Sequence, residues 1–318
     1  MSGTIIVLIN GEVLANGRGS TIADQRLNAA TLANGLVPIL TSDLRVAVMN
    51  GNKPQVGFVL FRSELASHAL HTIPLDVCGA DTQGATGYIL SQAFMNIFRG
   101  LEQQRRVMCV ITQALVDTSD PKDDVQLSAI GPWLDRDKAE QYRQTRGWKI
   151  AEEPGRGYRR AVPRLNAIEI LEIEGIRKLV ETGYIVIGGG GGGVPVAYND
   201  QGELEGIEAV VETEQLACIM AQQLQANTLL MIVESDDKFL LSGLSIENLG
   251  YWSLEELDTF ISVRMESINS RSVQRKLRAA SRFLHNGGEQ VIVTTLRKLT
   301  ETLLNKSGLW FGSRNSLL

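Results

Sequence analysis

No apolar run in this 318-residue chain approaches the ~20 residues that a membrane-spanning helix requires. Met1-Ser2-Gly3 lead straight into an apolar stretch with no basic n-region, so no secretory signal is read and a cytoplasmic location is expected. Cysteine is scarce: Cys78, Cys109 and Cys218 are far apart and lack the Cys/His spacing of a metal site, and three histidines add nothing to it. Reduced, buried thiols are the expectation. Cationic excess is also missing. Lys and Arg number 31 against 36 Asp and Glu, a net charge of −5, which leaves no footprint for nucleic acid or an anionic membrane. Repeats and a Pro/Ser-rich linker are absent. What remains is 44% hydrophobic and 21% charged, ordinary for a soluble globular protein with a large core.

Short β-branched runs alternate with helical patterns, which predicts βαβ units and a mostly parallel sheet. Strands are expected at Thr4–Ile9, Arg45–Met49, Val107–Ala114, Tyr184–Ile187, Thr228–Val233 and Glu289–Thr294. Helices are expected at Asp24–Ala33, Ala85–Gly100, Ala167–Glu181, Leu216–Gln225, Leu254–Arg264, Arg271–Leu284 and Leu296–Leu304. Residues 117–163 turn polar and rich in Asp, Arg and Lys, and suit a small protruding subdomain inserted into the single domain 1–318. The fold class is α/β: an αβα three-layer sandwich with a mostly parallel central sheet.

Phosphate chemistry belongs at junctions where a strand runs into a glycine turn, because main-chain N–H groups can converge there on an anion. Three such junctions occur: Asn10-Gly11, Asn50-Gly51-Asn52 and Gly188–Gly193. The glycine run is no Walker A loop, since no Lys-Ser/Thr follows. It is no dinucleotide fingerprint either, since Pro195 follows rather than a helix. An uninterrupted glycine run is entropically costly, so a ligand-facing loop is favoured over a slack turn.

The segments Pro54-Gln55-Val56-Gly57, Pro74–Gly84 with Gly87-Tyr88, Ile130-Gly131-Pro132, Gly155–Arg160 and Gly190–Val196 resemble those of carbamate kinases, within the amino acid kinase fold. The resemblance runs nearly end to end, from Thr4 to Gly308. It implies a homodimer that moves phosphate between ATP and carbamate, with ATP or ADP and Mg²⁺ as cofactors. It also implies anion-binding roles for Gly11, Gly51, Asn52, Gly190 and Gly191, and nucleotide contacts for Asp236 and Lys276.

Other positions depart from that pattern. The family's Gly-Gly-Asn turn reads Asn10-Gly11-Glu12, and its His-Gly-Asn-Gly-Pro turn reads Asn50-Gly51-Asn52-Lys53-Pro54. Thr-Lys-Pro-Ile-Gly-Pro becomes Leu127-Ser128-Ala129-Ile130-Gly131-Pro132, and Asp-Lys-Asp becomes Glu212-Thr213-Glu214, so two lysines are gone. The late Gly-Ser-Met-Gly-Pro-Lys keeps only Ser272 and Lys276. Asn10, Glu12, Lys53, Ser128 and Thr213 are thus degenerate catalytic positions.

Phosphoryl transfer depends on positioning and positive charge. One lost donor commonly costs on the order of 3–4 kcal/mol in the transition state. The expectation is a catalytically impaired pseudokinase that binds a ligand or regulates a partner enzyme, with retention of the nucleotide left open. The alternative is an active kinase, on carbamate or a related carboxylate, in which Lys53, Arg271 or Arg275 replace the missing charge. Glu12 and Lys53 are expected either to pair as a plug of the pocket or to be solvated. Arg156, Tyr158, Arg159 and Arg160 are weighed as a substrate clamp, but the resemblance implies a structural hairpin of the protruding subdomain, and that role is favoured. Cys78 is not read as a nucleophile.

Overall fold

A computed structural model describes residues 3–15, 21–103, 105–118, 127–153, 155, 157–235, 239, 243–246 and 249–313. In chain order the strands are β1 (Thr4–Ile9), β2 (Arg45–Asn50), β3 (Val107–Cys109), β4 (Gln113–Val116), β5 (Leu127–Leu134), β6 (Lys149–Glu153), β7 (Gly157–Pro163), β8 (Ala167–Ile170), β9 (Ile185–Ile187), β10 (Val194–Tyr198), β11 (Leu204–Gly206), β12 (Thr228–Val233), β13 (Gly250–Trp252), β14 (Gln290–Thr295) and β15 (Leu309–Gly312). The helices are α1 (Gly11–Leu14), α2 (Ile22–Gly35), α3 (Val37–Leu40), α4 (Lys53–Leu65), α5 (Leu75–Gly100), α6 (Arg136–Arg146), α7 (Ile173–Glu181), α8 (Thr213–Gln223), α9 (Leu254–Arg264), α10 (Arg271–His285) and α11 (Leu299–Leu303).

Eight strands form the central sheet in the order β13-β15-β14-β12-β1-β2-β9-β3. All neighbours run parallel except β14 and β15. Strands buried on both faces need apolar residues at every position, and β1 supplies them. Ile5, Val7 and Ile9 join one cluster with Val48, Leu230, α2 and α5, while Ile6 and Leu8 join the other with α7, α8 and α10. The period of two therefore builds two cores from one strand. Burying each such side chain contributes roughly 1.5–3 kcal/mol. This is an α/β three-layer sandwich.

Two smaller sheets flank it. One has the order β11-β10-β4-β8; the other, β5-β7-β6, is antiparallel. Helix α4 docks on this three-stranded sheet by packing Val56 and Leu60 against Ile130 and Val162.

Five expectations change in the structure. The stretch read as one strand, Val107–Ala114, is two, because the chain leaves β9 for β10 at Thr112. There Gln83 accepts from the Thr112 N–H at 2.8 Å and donates to its carbonyl at 3.0 Å, taking the place of a ladder. The first residues of the helix read at Ala167–Glu181 form β8 instead. Ala167 and Ile170 are buried three residues apart beside exposed Ile168, the spacing of a helix face, and pairing with β4 overrides it. The helix read from Ala85 begins at Leu75 after Pro74, and α2 begins at Ile22 because Thr21 and Asp24 form a capping box. The last helix is shorter than Leu296–Leu304.

Candidate functional site

β1 and β2 pair in register so that Ile9 lies opposite Asn50, and their following turns meet at the carboxyl edge of the sheet. The meeting is close. A Cβ on Gly11 would come within 2.7 Å of the Gly51 carbonyl oxygen, and one on Gly51 within 2.8 Å of the Gly11 nitrogen. Both glycines are therefore required by the crossing of two backbones. Asn10 caps α1 by accepting from the Glu12 N–H at 3.4 Å and donates to Glu234 Oε2 at 2.6 Å, which ties the β1 turn to the turn after β12.

Beside this crossing lies a cavity of about 650 Å³. Of the residues singled out from the sequence, Asn10, Gly11, Glu12, Gly51, Lys53, Ser128, Thr213 and Lys276 line it. Asn52 does not: it is buried and donates to Thr82 Oγ1 at 2.8 Å. Nor do Gly190 and Gly191. The glycine run bends through a short 3₁₀ turn, and a Cβ on Gly191, at φ +70°, would fall 2.1 Å from the Asn52 side chain. Among the described residues its glycines serve close packing against Asn50, Asn52 and Gln83. Asp236 lies outside the described residues.

Three helices begin at the cavity. Lys53 opens α4, Thr213 opens α8 and Arg271 opens α10, and all three line it. Neither Asn52 nor Glu212 closes its helix with a side-chain hydrogen bond. The positive ends of these dipoles add to six cationic side chains in the lining: Lys53, Arg159, Arg164, Arg271, Arg275 and Lys276.

Three carboxylates, Glu12, Glu212 and Glu214, share that lining. Glu212 pairs with Arg164 at 2.9 Å and with Arg275 at 3.8 Å. Glu214 pairs with Lys276 at 3.1 Å and Arg275 at 3.6 Å, while Lys276 also donates to Ser272 Oγ at 2.9 Å. Burial alone would push the Glu214 carboxyl up; Lys276 and Arg275 override it and hold the carboxyl at about 2. Lys276 is thus a buried member of an ion pair rather than a solvated surface charge.

Lys53 differs. Its side chain is exposed and lines the cavity, and it forms no hydrogen bond or ion pair among the described residues. It therefore does not pair with Glu12 as a plug. Desolvation by the cavity wall and the nearby guanidinium groups of Arg275 and Arg164, opposed by Glu214 and Glu212, lower its amine to about 8.

Arg164 is not legible as a site residue from the sequence, Arg159 reads there as structural, and Arg156 lies outside the described residues. Arg160 fits the structural reading, paired with Glu208 and stacked 4.9 Å from the centre of the Trp148 ring. Its neighbour Arg159 instead faces the cavity, with its guanidinium 5.1 Å from the Trp133 ring and Nε donating to the Gly131 carbonyl at 3.2 Å. Alternation along β7 puts adjacent residues on opposite faces, which is the signal that separates them. Cys78 is buried, and burial together with Asp81 and Asp76 pushes its thiol up to about 11, against a nucleophilic role.

The arrangement is one of parallel-strand ends, converging helix N-termini and a cationic cavity, and it has known relatives. The amino acid kinase family profile matches residues 5–295, and the chain belongs to that family. Within it, the chain is 34% identical to the carbamate kinase of Pyrococcus horikoshii over 97% of its own length and 98% of the relative's. It is 30% identical to the carbamate kinase-like protein YahI of Escherichia coli, over 97% and 98%. Carbamate kinase from Giardia lamblia superposes with a TM-score of 0.84 at 26% identity, covering 98% of both chains. The same enzyme has been solved bound to AMP-PNP, with a TM-score of 0.83 at 24% identity over 98% of each chain. Among the described residues no helix is long and apolar enough to cross a membrane.

Proposed function

We propose that this carbamate kinase-like chain binds an anionic ligand in the cavity but transfers phosphate poorly, and that it acts as a ligand-binding or regulatory protein. The observation that carries this reading is the engagement of Arg164, Arg275 and Lys276 by Glu212 and Glu214. A cation already held by a buried carboxylate has less field to offer a developing phosphoryl charge. Ser128 and Thr213, at positions where the family carries lysines, present hydroxyl groups to the same cavity. Repulsion by Glu12 adds to the deficit.

Nucleotide phosphates fit the cationic helix ends around Arg271 and Lys276, and the AMP-PNP complex of the Giardia relative supports ATP or ADP as the ligand class. A Mg²⁺ ion would need free carboxylate oxygens, and Glu212 and Glu214 are committed to cations. A homodimer is read from α5, where Val77, Tyr88 and Met95 are exposed, and from the sheet edge at β3 with exposed Met108.

A second reading is active transfer with substitute cations. It is favoured by Lys53, Arg271 and Arg275 lining one cavity with Ser128 and Thr213. The deciding experiment is coupled formation of ATP from ADP and carbamoyl phosphate with Mg²⁺ at high protein concentration. A flat trace supports impaired transfer. Turnover at about 1–10³ s⁻¹ overturns it and assigns the chemistry to the substitute cations.

A further inference from the structure

A charged ligand leaves the apolar lining of the cavity without a partner. Phe58 and Phe61 on α4, and Leu127 and Trp133 on β5, are among the residues that line it. They are not needed to dock the helix on its sheet, because Val56 and Leu60 already fill that contact with Ile130 and Val162. Phe61 is 46% exposed and Leu127 42%. Apolar surface left in water costs about 25 cal/mol per Å², and a carbamate or phosphate ion has almost no carbon surface with which to cover it. Ligand pockets commonly join an apolar wall to a few convergent polar groups that fix orientation. Here the polar groups are Lys53 and Arg271 at two helix N-termini.

We infer that the cavity takes an amphiphilic carboxylate, with its head at the cationic helix ends and an aromatic or branched apolar body against Phe58, Phe61, Leu127 and Trp133. The inference rests on the anion-binding reading above and adds to it the class of ligand. A carboxylate suits Arg271 because a guanidinium can meet its two oxygens with two parallel N–H donors.

The test is calorimetric titration of the full chain with phenylacetate, acetate, inorganic phosphate and ADP. Phenylacetate is expected to bind at least about tenfold more tightly than acetate, the increment for burying one ring. The Phe61→Ala variant, at a half-exposed position that folding tolerates, is expected to lose most of that ratio. Equal binding of phenylacetate and acetate by the wild-type protein overturns the inference without any variant. Loss of ADP affinity in Phe61→Ala as large as the loss for phenylacetate assigns the wall to a nucleotide base and also overturns it. Absence of phosphate binding sinks the anion-binding reading itself, whereas phosphate binding without aryl preference sinks only the ligand class.

Discussion

Lys276 Nζ lies 3.1 Å from Glu214 Oε1, with the two side chains only 5% and 12% accessible. Such a pair gains little over a well-packed apolar one, but removing one partner leaves a buried charge unanswered, at roughly 3–5 kcal/mol. Glu214→Gln is expected to destabilise the fold by about 3 kcal/mol, and Glu214→Gln with Lys276→Met to regain most of it, measured by urea unfolding. Acid adds a signature. The Glu214 carboxyl is held at about 2, below its ordinary 4.5, so its stabilisation is complete above the ordinary value and is lost as pH falls through about 4.5 toward 2. Wild-type stability should drop across that window by more than that of Glu214→Gln; parallel curves would show that Glu214 is not held low.

Lys53 gives the opposite sign. Its amine sits at about 8 against an ordinary 10.5, so the protonated form disfavours folding at neutral pH, and this is relieved as pH rises from about 8 toward 10.5. At pH 7 its neutral fraction exceeds that of a surface lysine by roughly two to three orders of magnitude. Amine labelling at that pH should therefore mark Lys53 ahead of the other lysines. Inorganic phosphate in the cavity should slow the labelling by restoring the proton. Labelling of Lys53 at the surface-lysine rate, unaffected by phosphate, would remove it from the anion site.

Most of the sandwich was legible from the chain because β1, β2 and β12 are buried on both faces and read as unbroken apolar runs. Ala167–Ile170 and the break at Thr112 were not, since each turns on pairing with residues distant in sequence. The candidate positions Lys53 and Thr213, at helix N-termini, and Lys276, in the second turn of α10, were singled out by motif. The ion pairs from Glu212 and Glu214 to Arg164 and Arg275 join three separate segments, and no local pattern announces them. The glycine run misled for a physical reason. Freedom from side chains serves close packing as readily as ligand approach, and burial against Asn52 separates the two only in three dimensions.

That distinction is measurable. Gly191→Ala places a Cβ on the Asn52 side chain at a left-handed φ, and Gly11→Ala presses one on the Gly51 carbonyl. Each is expected to lower stability by about 1–3 kcal/mol. Gly175→Ala, exposed on α7 with nothing within 4 Å, should raise stability by about 0.5–1 kcal/mol. Chemical denaturation of the three variants orders them; a neutral Gly191→Ala would return that glycine to the candidate ligand loop.

Restoring the missing lysines tests whether their loss, rather than a change of fold, limits transfer. Ser128 and Thr213 line the same cavity as Lys53 and Arg271, so lysines at both positions would aim at the space where a phosphoryl group would pass. Thr213 is the first residue of α8, where a long side chain can leave the helix without disturbing it. Ser128 is buried at 4%, so its replacement must extend into the cavity. One recovered donor is worth about a hundred- to a thousand-fold in favourable cases. Glu212 and Glu214 will neutralise part of that, which sets the expectation for Thr213→Lys with Ser128→Lys at about tenfold or more over the wild-type rate of ATP formation from carbamoyl phosphate. Adding Glu214→Gln should raise the rate again, because it frees Arg275 and Lys276 from their carboxylate. A doubly substituted protein that folds, binds ADP and still gives a flat trace would point instead to the Asn10-Gly11-Glu12 turn, and Asn10→Gly with Glu12→Asn would then be the substitutions that test it.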